Sequence, residues 1–308
     1  MGTLSPCRLL VSDAAQAGEE LLEVAIDAAR MAGGLLLARA RHGLEKDVSS
    51  KSTPTDLVSE ADLAAERALR ELLSSRRPED GFLGEEGGSA EGASGLRWVV
   101  DPLDGTVNFL FGIPQWCVSV AVRDGAGTVA GAVYDPNRDE LFTAMRDSRP
   151  LLRGPEGTAE LAGGEGRGSA GAPAAGRPGA PEPQAPATGE PARPGAGGLA
   201  GAMVATGLAY DANVRQAQAK VLARLAPRVR DIRRFGSAAL DLCWTAAGRY
   251  DAYFERSVKQ WDIAAGALIC ERAGLEVLEL PVFENLPWGI LVAPPALSAP
   301  LLELVGGP

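Results

Sequence analysis

Apolar positions recur at helical spacing over residues 18–41, where Leu22, Ile26, Ala29, Leu36 and Leu37 fall on one face. The pattern predicts an amphipathic helix ending near His42. A loop with Lys51 and Pro54 follows. A second helix is predicted over 59–74, opened by Ser59-Glu60-Ala61-Asp62, the Ser-x-x-acid signature of a helix start. Beyond it the period shortens. Runs at 81–83, 98–100, 118–122, 129–134 and 140–144 predict short strands, punctuated by Gly, Asp and Asn and joined in places by hairpin-length turns such as Arg123-Asp124-Gly125. Two helices followed by such strands predict an antiparallel sheet in an α+β layer rather than a doubly wound parallel sheet.

The pattern then breaks. From Leu161 to Gly198, Gly, Pro and Ala fill 28 of 38 positions and no aromatic residue occurs. Such a segment buries too little apolar surface to offset the entropy of ordering it, so a disordered insertion without chemistry is expected. Periodicity returns with a strand at 202–206, a helix at 212–225, a short strand at 232–234 and a helix at 238–247 closed by Gly248. A strand at 250–255, a helix at 262–273 ending at Gly274, a strand at 289–293 and a closing helix complete the chain. The division expected is an N-terminal α+β lobe over 1–160, the insertion over 161–198 and a C-terminal α/β lobe over 199–308.

Composition narrows the function classes. The 308 residues are enough for two lobes with large cores, and 46% apolar with 23% charged residues is ordinary for a soluble globular chain. A net charge of -10, with no basic cluster, argues against a sequence-independent grip on nucleic acid. Cys7, Cys117, Cys243 and Cys270 are scattered without paired spacing, which suggests neither zinc nor disulfides and fits a reducing cytoplasm. Neither a signal peptide nor a membrane span is expected, since the chain has no basic start with an apolar core and no run of about eighteen apolar residues. His42 is the single histidine, so serine hydrolases with a histidine base, histidine-ligated metallohydrolases and phosphohistidine enzymes are disfavoured.

Acidic residues at element ends carry the candidate chemistry: Glu85 and Glu86 in "GFLGEEGG", Asp101 and Asp104 in "WVVDPLDGTVNF", and Asp262 in "QWDIAAG". Each has an ordinary reading as a solvated pair, a turn or a helix cap. Together, carboxylates at strand ends without histidine or paired cysteine suit a hard cation such as Mg²⁺. Pro102 stiffens the link between the two aspartates, and Gly105 lets the backbone approach a ligand, with the amides of Gly105 and Thr106 available to a phosphate oxygen. The implied reaction is phosphoryl transfer to water. Other phosphate chemistries fit less well. The spacing of the aspartates departs from the Asp-x-Asp-Gly-Thr of haloacid-dehalogenase-like enzymes, and the Cys117-x5-Arg123 spacing falls in a glycine-free strand pattern. An EF-hand would need ligands at every second position before its glycine.

These residues resemble the inositol monophosphatase family of magnesium-dependent, lithium-sensitive sugar phosphatases. The resemblance rests on "KSTPTDLVSEAD", "GEEGG", "WVVDPLDGTVNF", "RRFGSAALDLCW" and "DAYFERSVKQWDIAAGALICERAG", which occur in the family's order over nearly the whole chain outside the insertion. It implies a layered α/β/α/β/α fold, a homodimer, and a site between the lobes. It also implies that Glu85, Asp101 and the Leu103 carbonyl hold one Mg²⁺, that Asp101, Asp104 and Asp262 hold a second, and that Glu85 helps hold a third, weaker ion. Thr106 paired with Asp62 would orient the attacking water. Gly236, Ser237, Ala238 and Glu255 would meet the sugar hydroxyls, and Lys51 would sit in a loop over the metals. The substrate implied is a small phosphorylated polyol, foremost inositol 1-phosphate. Relatives acting on histidinol phosphate, fructose 1,6-bisphosphate, adenosine 3',5'-bisphosphate or NADP, and a non-catalytic partner-binding member, remain open. The chain departs from the family at its insertion, at Leu275 and over 276–288.

Overall fold

The computed structural model describes residues 6–42, 48–50, 57–163 and 198–307. Lys51, Pro54 and all but the ends of the Gly/Pro/Ala-rich segment lie outside the described residues. Helix α1 (Pro6–His42) begins twelve residues before the periodic stretch, since neither proline nor glycine interrupts the chain between Cys7 and Ala17. A two-stranded ribbon, β1 (Val48–Ser50) with β2 (Leu57–Ser59), leads into α2 (Glu60–Arg76). Among the described residues no helix is long and apolar enough to cross a membrane.

The first large sheet contains β3 (Gly81–Gly84), β4 (Gly88–Ala90), β5 (Arg97–Asp104), β6 (Cys117–Asp124), β7 (Gly127–Asp135), β8 (Glu140–Met145), β9 (Leu151–Gly154) and β10 (Gly157–Glu160). Its spatial order is β10-β9-β8-β7-β6-β5-β3-β4, antiparallel except where β3 runs parallel to β5. The short helix α3 (Thr106–Leu110) follows β5 directly. The second sheet has the order β12-β11-β13-β15-β14, from β11 (Met203–Thr206), β12 (Asp231–Arg233), β13 (Ala252–Arg256), β14 (Glu276–Leu280) and β15 (Gly289–Ala293). Here β11 runs parallel to both β12 and β13, and the other pairs are antiparallel.

Helices complete five layers. Helices α1 and α2 cover the outer face of the first sheet, α5 (Ala238–Ala246) and α6 (Gln260–Arg272) lie between the sheets, and α4 (Ala212–Leu225) and α7 (Pro295–Val305) cover the far face of the second. The layering explains why the central strands read as apolar runs rather than clean alternations. In β6, Val118, Val120 and Val122 pack toward the outer helices, while Cys117 and Ala121 pack toward the middle layer.

Small residues line the contacts of the middle layer and leave no room for a side chain at two glycines. A Cβ at Gly131 of β7 would meet the Ala265 Cα at 2.9 Å, and one at Gly266 of α6 would meet the Leu242 Cβ of α5 at 2.7 Å. Strands β4, β9 and β10 are absent from the sequence expectation. They are four residues or fewer and glycine-containing; β4 and β10 are exposed, and β9 offers only the pair Leu151-Leu152, too short a run to give an alternating pattern. A Gly131→Val substitution should overpack the α6 contact and lower stability by about 1–3 kcal/mol. An unchanged midpoint in urea unfolding would contradict this packing.

Candidate active site

On a regular strand, residues three apart face opposite sides of the sheet. Asp101 pairs with Ser119 and Asp104 with Cys117, two residues back on β6, so β5 carries one extra residue and a bulge between the aspartates. Pro102, which has no amide to donate, lies in that irregular stretch. The bulge turns Asp104 to the face of Asp101, toward the middle layer. The chain then turns sharply at Gly105, whose φ of +100° is open to glycine and where a Cβ would lie 2.8 Å from the Gln115 carbonyl oxygen.

The two aspartates face a cavity of about 140 Å³ between the sheets. Glu85, Leu103, Gly105 and Thr106 line it from the first half of the chain, and Gly236, Ala238, Glu255 and Asp262 from the second. Of the sequence-predicted residues, Asp62 and Ser237 stand behind this wall. The Thr106 hydroxyl lies 2.9 Å from Asp62 Oδ1 and 3.1 Å from the Leu103 carbonyl oxygen. Ser237 is buried, and its hydroxyl donates to Asp104 Oδ2 at 2.6 Å instead of facing the cavity.

The amides of Ala238 and Ala239, at the start of α5, add bonds to Asp104 of 3.2 and 2.7 Å. Asp101 accepts from the Leu103 amide at 3.0 Å. Asp262 caps as well as lines: its Oδ2 accepts from the Lys259 amide at 2.7 Å at the start of α6. Cys117 is buried with its Sγ 3.7 Å from Asp104 Oδ2.

Burial, and after it the crowding of like charge, raises these acids. Burial, then Glu85, Asp104 and Asp262, hold the Asp101 carboxyl well above the usual range. Burial moves Asp104 up to about 6 despite the hydrogen bond from Ser237. Asp262 is raised by burial and then by Glu85, and Glu255 by burial to about 7 although the Tyr253 hydroxyl donates to it at 2.9 Å. No Lys or Arg forms an ion pair with Asp101, Asp104 or Asp262 among the described residues. Buried carboxylates without a cation, beside a backbone carbonyl, form a donor set suited to a hard divalent ion. Among the described residues no three such side chains already close on one point, so the acids line a shared wall rather than a finished cage.

A model of the inositol monophosphatase family matches residues 17–282. The chain belongs to the inositol monophosphatase family. Among its relatives, the inositol-1-monophosphatase SuhB of Mycobacterium tuberculosis is 40% identical over 247 residues, 79% of this chain and 74% of that protein. The Nus factor SuhB of Pasteurella multocida is 38% identical over 256 residues, 82% of this chain and 83% of that one. Among solved structures, the extragenic suppressor protein suhB of Bartonella henselae superposes with a TM-score of 0.74 at 32% identity, covering 92% of this chain and 97% of that one. Inositol monophosphatase family membership and the layered α+β fold therefore agree.

Two site residues are missing from the sequence expectation: Glu66 lies outside the quoted motifs, and Arg234 lies inside "RRFGSAALDLCW" with no role assigned to it. Glu66 of α2 is buried, and its Oε2 accepts the Glu86 amide at 2.6 Å, while Cβ atoms at Gly84 or Gly87 would overlap its carboxylate. It fixes the loop that presents Glu85. A signal existed: Asp62 and Glu66 fall on the buried stripe of α2 with Ala65, Leu69 and Leu73. The second is Arg234, which lines the cavity beside Gly236.

An acid whose folded pKa is raised contributes fully to stability below its unfolded value, near 4, and loses that contribution as pH rises through the raised one. The Tm of the metal-free protein should therefore fall as pH rises from about 4 through 7, less steeply in Glu255→Gln, and Mg²⁺ should raise Tm more at pH 8 than at pH 5. Differential scanning fluorimetry across pH checks this, and a flat or opposite Mg²⁺ response would count against the cation site.

Proposed function

We propose that the protein is a Mg²⁺-dependent phosphatase acting on a small phosphorylated polyol, foremost inositol 1-phosphate. The observation carrying this reading is the β5 bulge, which puts Asp101 and Asp104 on one wall with Glu85 and Asp262. In this reading Glu85, Asp101 and the Leu103 carbonyl hold one ion, Asp101, Asp104 and Asp262 hold a second, and Glu85 contributes to a weaker third. When bound, the ions acidify water, neutralise phosphate charge and stabilise the departing alkoxide.

The chain's own residues supply orientation. The Thr106 hydroxyl directs its proton at the Asp62 carboxylate or the Leu103 carbonyl, which leaves its oxygen lone pair to accept a hydrogen bond from a water and fix that water's attitude. The amides of Gly105 and Thr106 would meet phosphate oxygens. Gly236 and Ala238 form a low wall for the polyol, and Ser237 serves it indirectly by holding Asp104. Glu255 accepts from polyol hydroxyls, a role that requires its carboxylate form. A net charge of -10 supports a small substrate over nucleic acid. The reading extends to a lithium-sensitive, cytoplasmic homodimer with lobes divided at 1–160 and 199–308.

The Nus factor name of the Pasteurella relative supports a second reading, a partner-binding role without catalysis. One variant separates the two. Asp104→Asn should lower Mg²⁺-dependent phosphate release from inositol 1-phosphate about a hundredfold or more, the order expected for losing an essential electrostatic group. Undiminished release would overturn the metal chemistry. A wild-type panel of inositol, histidinol, fructose and nucleotide phosphates, with and without Li⁺, tests the substrate, and a profile led by nucleotide phosphates would overturn the inositol assignment.

A further inference from the structure

Spaced four residues apart, Asp62, Glu66 and Arg70 follow one line along α2. Asp62 accepts the Thr106 hydroxyl at 2.9 Å, just beyond β5. The next two residues reach the turn beyond β3 instead. Glu66 Oε2 accepts the Glu86 amide at 2.6 Å, and Arg70 Nη2 donates to the Gly87 carbonyl at 3.1 Å. Glu66 and Arg70 are themselves paired at 3.7 Å, which compensates a carboxylate buried beneath the turn. Arg70 also lies over the ring of Phe82 on β3, 4.1 Å from its centroid, so the strand leading into the turn is held as well.

The glycines on either side of the acidic pair answer to this grip. A Cβ at Gly84 or Gly87 would overlap the Glu66 carboxylate, and one at Gly87 would also lie 2.9 Å from the Arg70 guanidinium. Neither glycine has a φ in the left-handed range, so room for the two α2 side chains, rather than backbone freedom, accounts for them. In "GEEGG" the small residues thus serve the helix behind the loop and not a ligand in front of it.

The turn stands where such a hold matters. Strand β4, which pairs with β3 across Glu85, Glu86 and Gly87, is the edge of its sheet and exposed throughout, so it contributes little apolar burial to fix the turn it closes. The other acids are mounted differently. Asp101 and Asp104 belong to β5, which is flanked by β3 and β6, and Asp262 is fastened to the Lys259 amide.

A carboxylate that holds a metal depends on the groups that orient it. We propose that Glu66 and Arg70 are positioning residues that preset the Glu85 turn for its cation, so that affinity for the ion held by Glu85 is set from α2, behind the cavity wall. The inference rests on the phosphatase reading above, which gives Glu85 an ion to hold. Neither residue lines the cavity, and neither is assigned to the reacting atoms.

The test uses the full chain and follows Mg²⁺ in two ways: the rise in Tm as Mg²⁺ is added without substrate, and phosphate release from inositol 1-phosphate. Glu66→Ala should raise the Mg²⁺ concentration that gives half the maximal Tm rise about tenfold, and the concentration for half-maximal release by a similar factor, the size typical of groups that orient a metal ligand. Saturating Mg²⁺ should restore most of the release. Glu66→Gln, which keeps an acceptor for the Glu86 amide but loses the charge facing Arg70, should fall between Glu66→Ala and the wild type. Arg70→Gln, at a partly exposed position, should move both midpoints in the same direction by less. A merely structural role would lower the Tm of the metal-free protein and leave both midpoints at their wild-type values. That result, in folded Glu66→Gln or Arg70→Gln protein, overturns the inference and leaves the phosphatase reading standing. A wild type whose Tm ignores Mg²⁺ and that releases no phosphate overturns that reading and the inference with it.

Discussion

Like charges resist being gathered, and the structure is arranged around gathering them. Asp101 and Asp104 are both nearly buried, and the charge of Asp104 adds to burial and to Glu85 in raising the Asp101 carboxyl. A carboxylate pair of this kind persists only where the surrounding framework fixes it and some positive partner compensates it. The framework is specific. One extra residue in β5 brings the pair to one face, Gly105 redirects the chain immediately afterwards, Ser237 and two α5 amides hold Asp104, and Glu66 holds the loop beneath Glu85. Most of these supports are themselves polar groups satisfied out of sight of the cavity.

What was legible in the sequence divides along physical lines. Helix α4 and strand β15 occupy the residues expected from periodicity, since both present a local apolar pattern between clear stop signals. The acidic motifs were legible because polar residues at the ends of apolar runs break a pattern. The bulge was not, since register depends on pairing with β6, which no local pattern within β5 reports. Strand β9 and the edge strand β10 were invisible for a related reason: such short strands form by pairing with a neighbour. Asp262 was read as a helix N-cap or as a site acid; α6 starts two residues earlier than expected, so Lys259 is the N-cap and Asp262, at the third helical position, accepts its amide while lining the cavity wall.

The parallel pairing of β3 with β5 has a similar standing. It follows from the need to bring Glu85, at the end of one strand, level with Asp101 near the end of another: Gly84 lies opposite Val100, one residue before each acid. Antiparallel neighbours would have put those ends at opposite edges of the sheet. The excursion through β4 and its loop is the connection that this alignment requires.

The small-residue packing of the middle layer has a consequence for how the molecule can vary. Helix α6 carries Asp262 at its first turn, while Ala265 and Gly266, one turn on, set its distance from β7 and α5. The same helix thus acts as a spacer between sheets and as a mount for a charged group. Sequence drift should be unevenly permitted: the solvent-facing helices can change size with little effect beyond their own layer, whereas a single added methyl in the middle displaces an acid several residues away. Mutational tolerance in this protein is therefore stratified by layer, with the least freedom where the side chains are smallest.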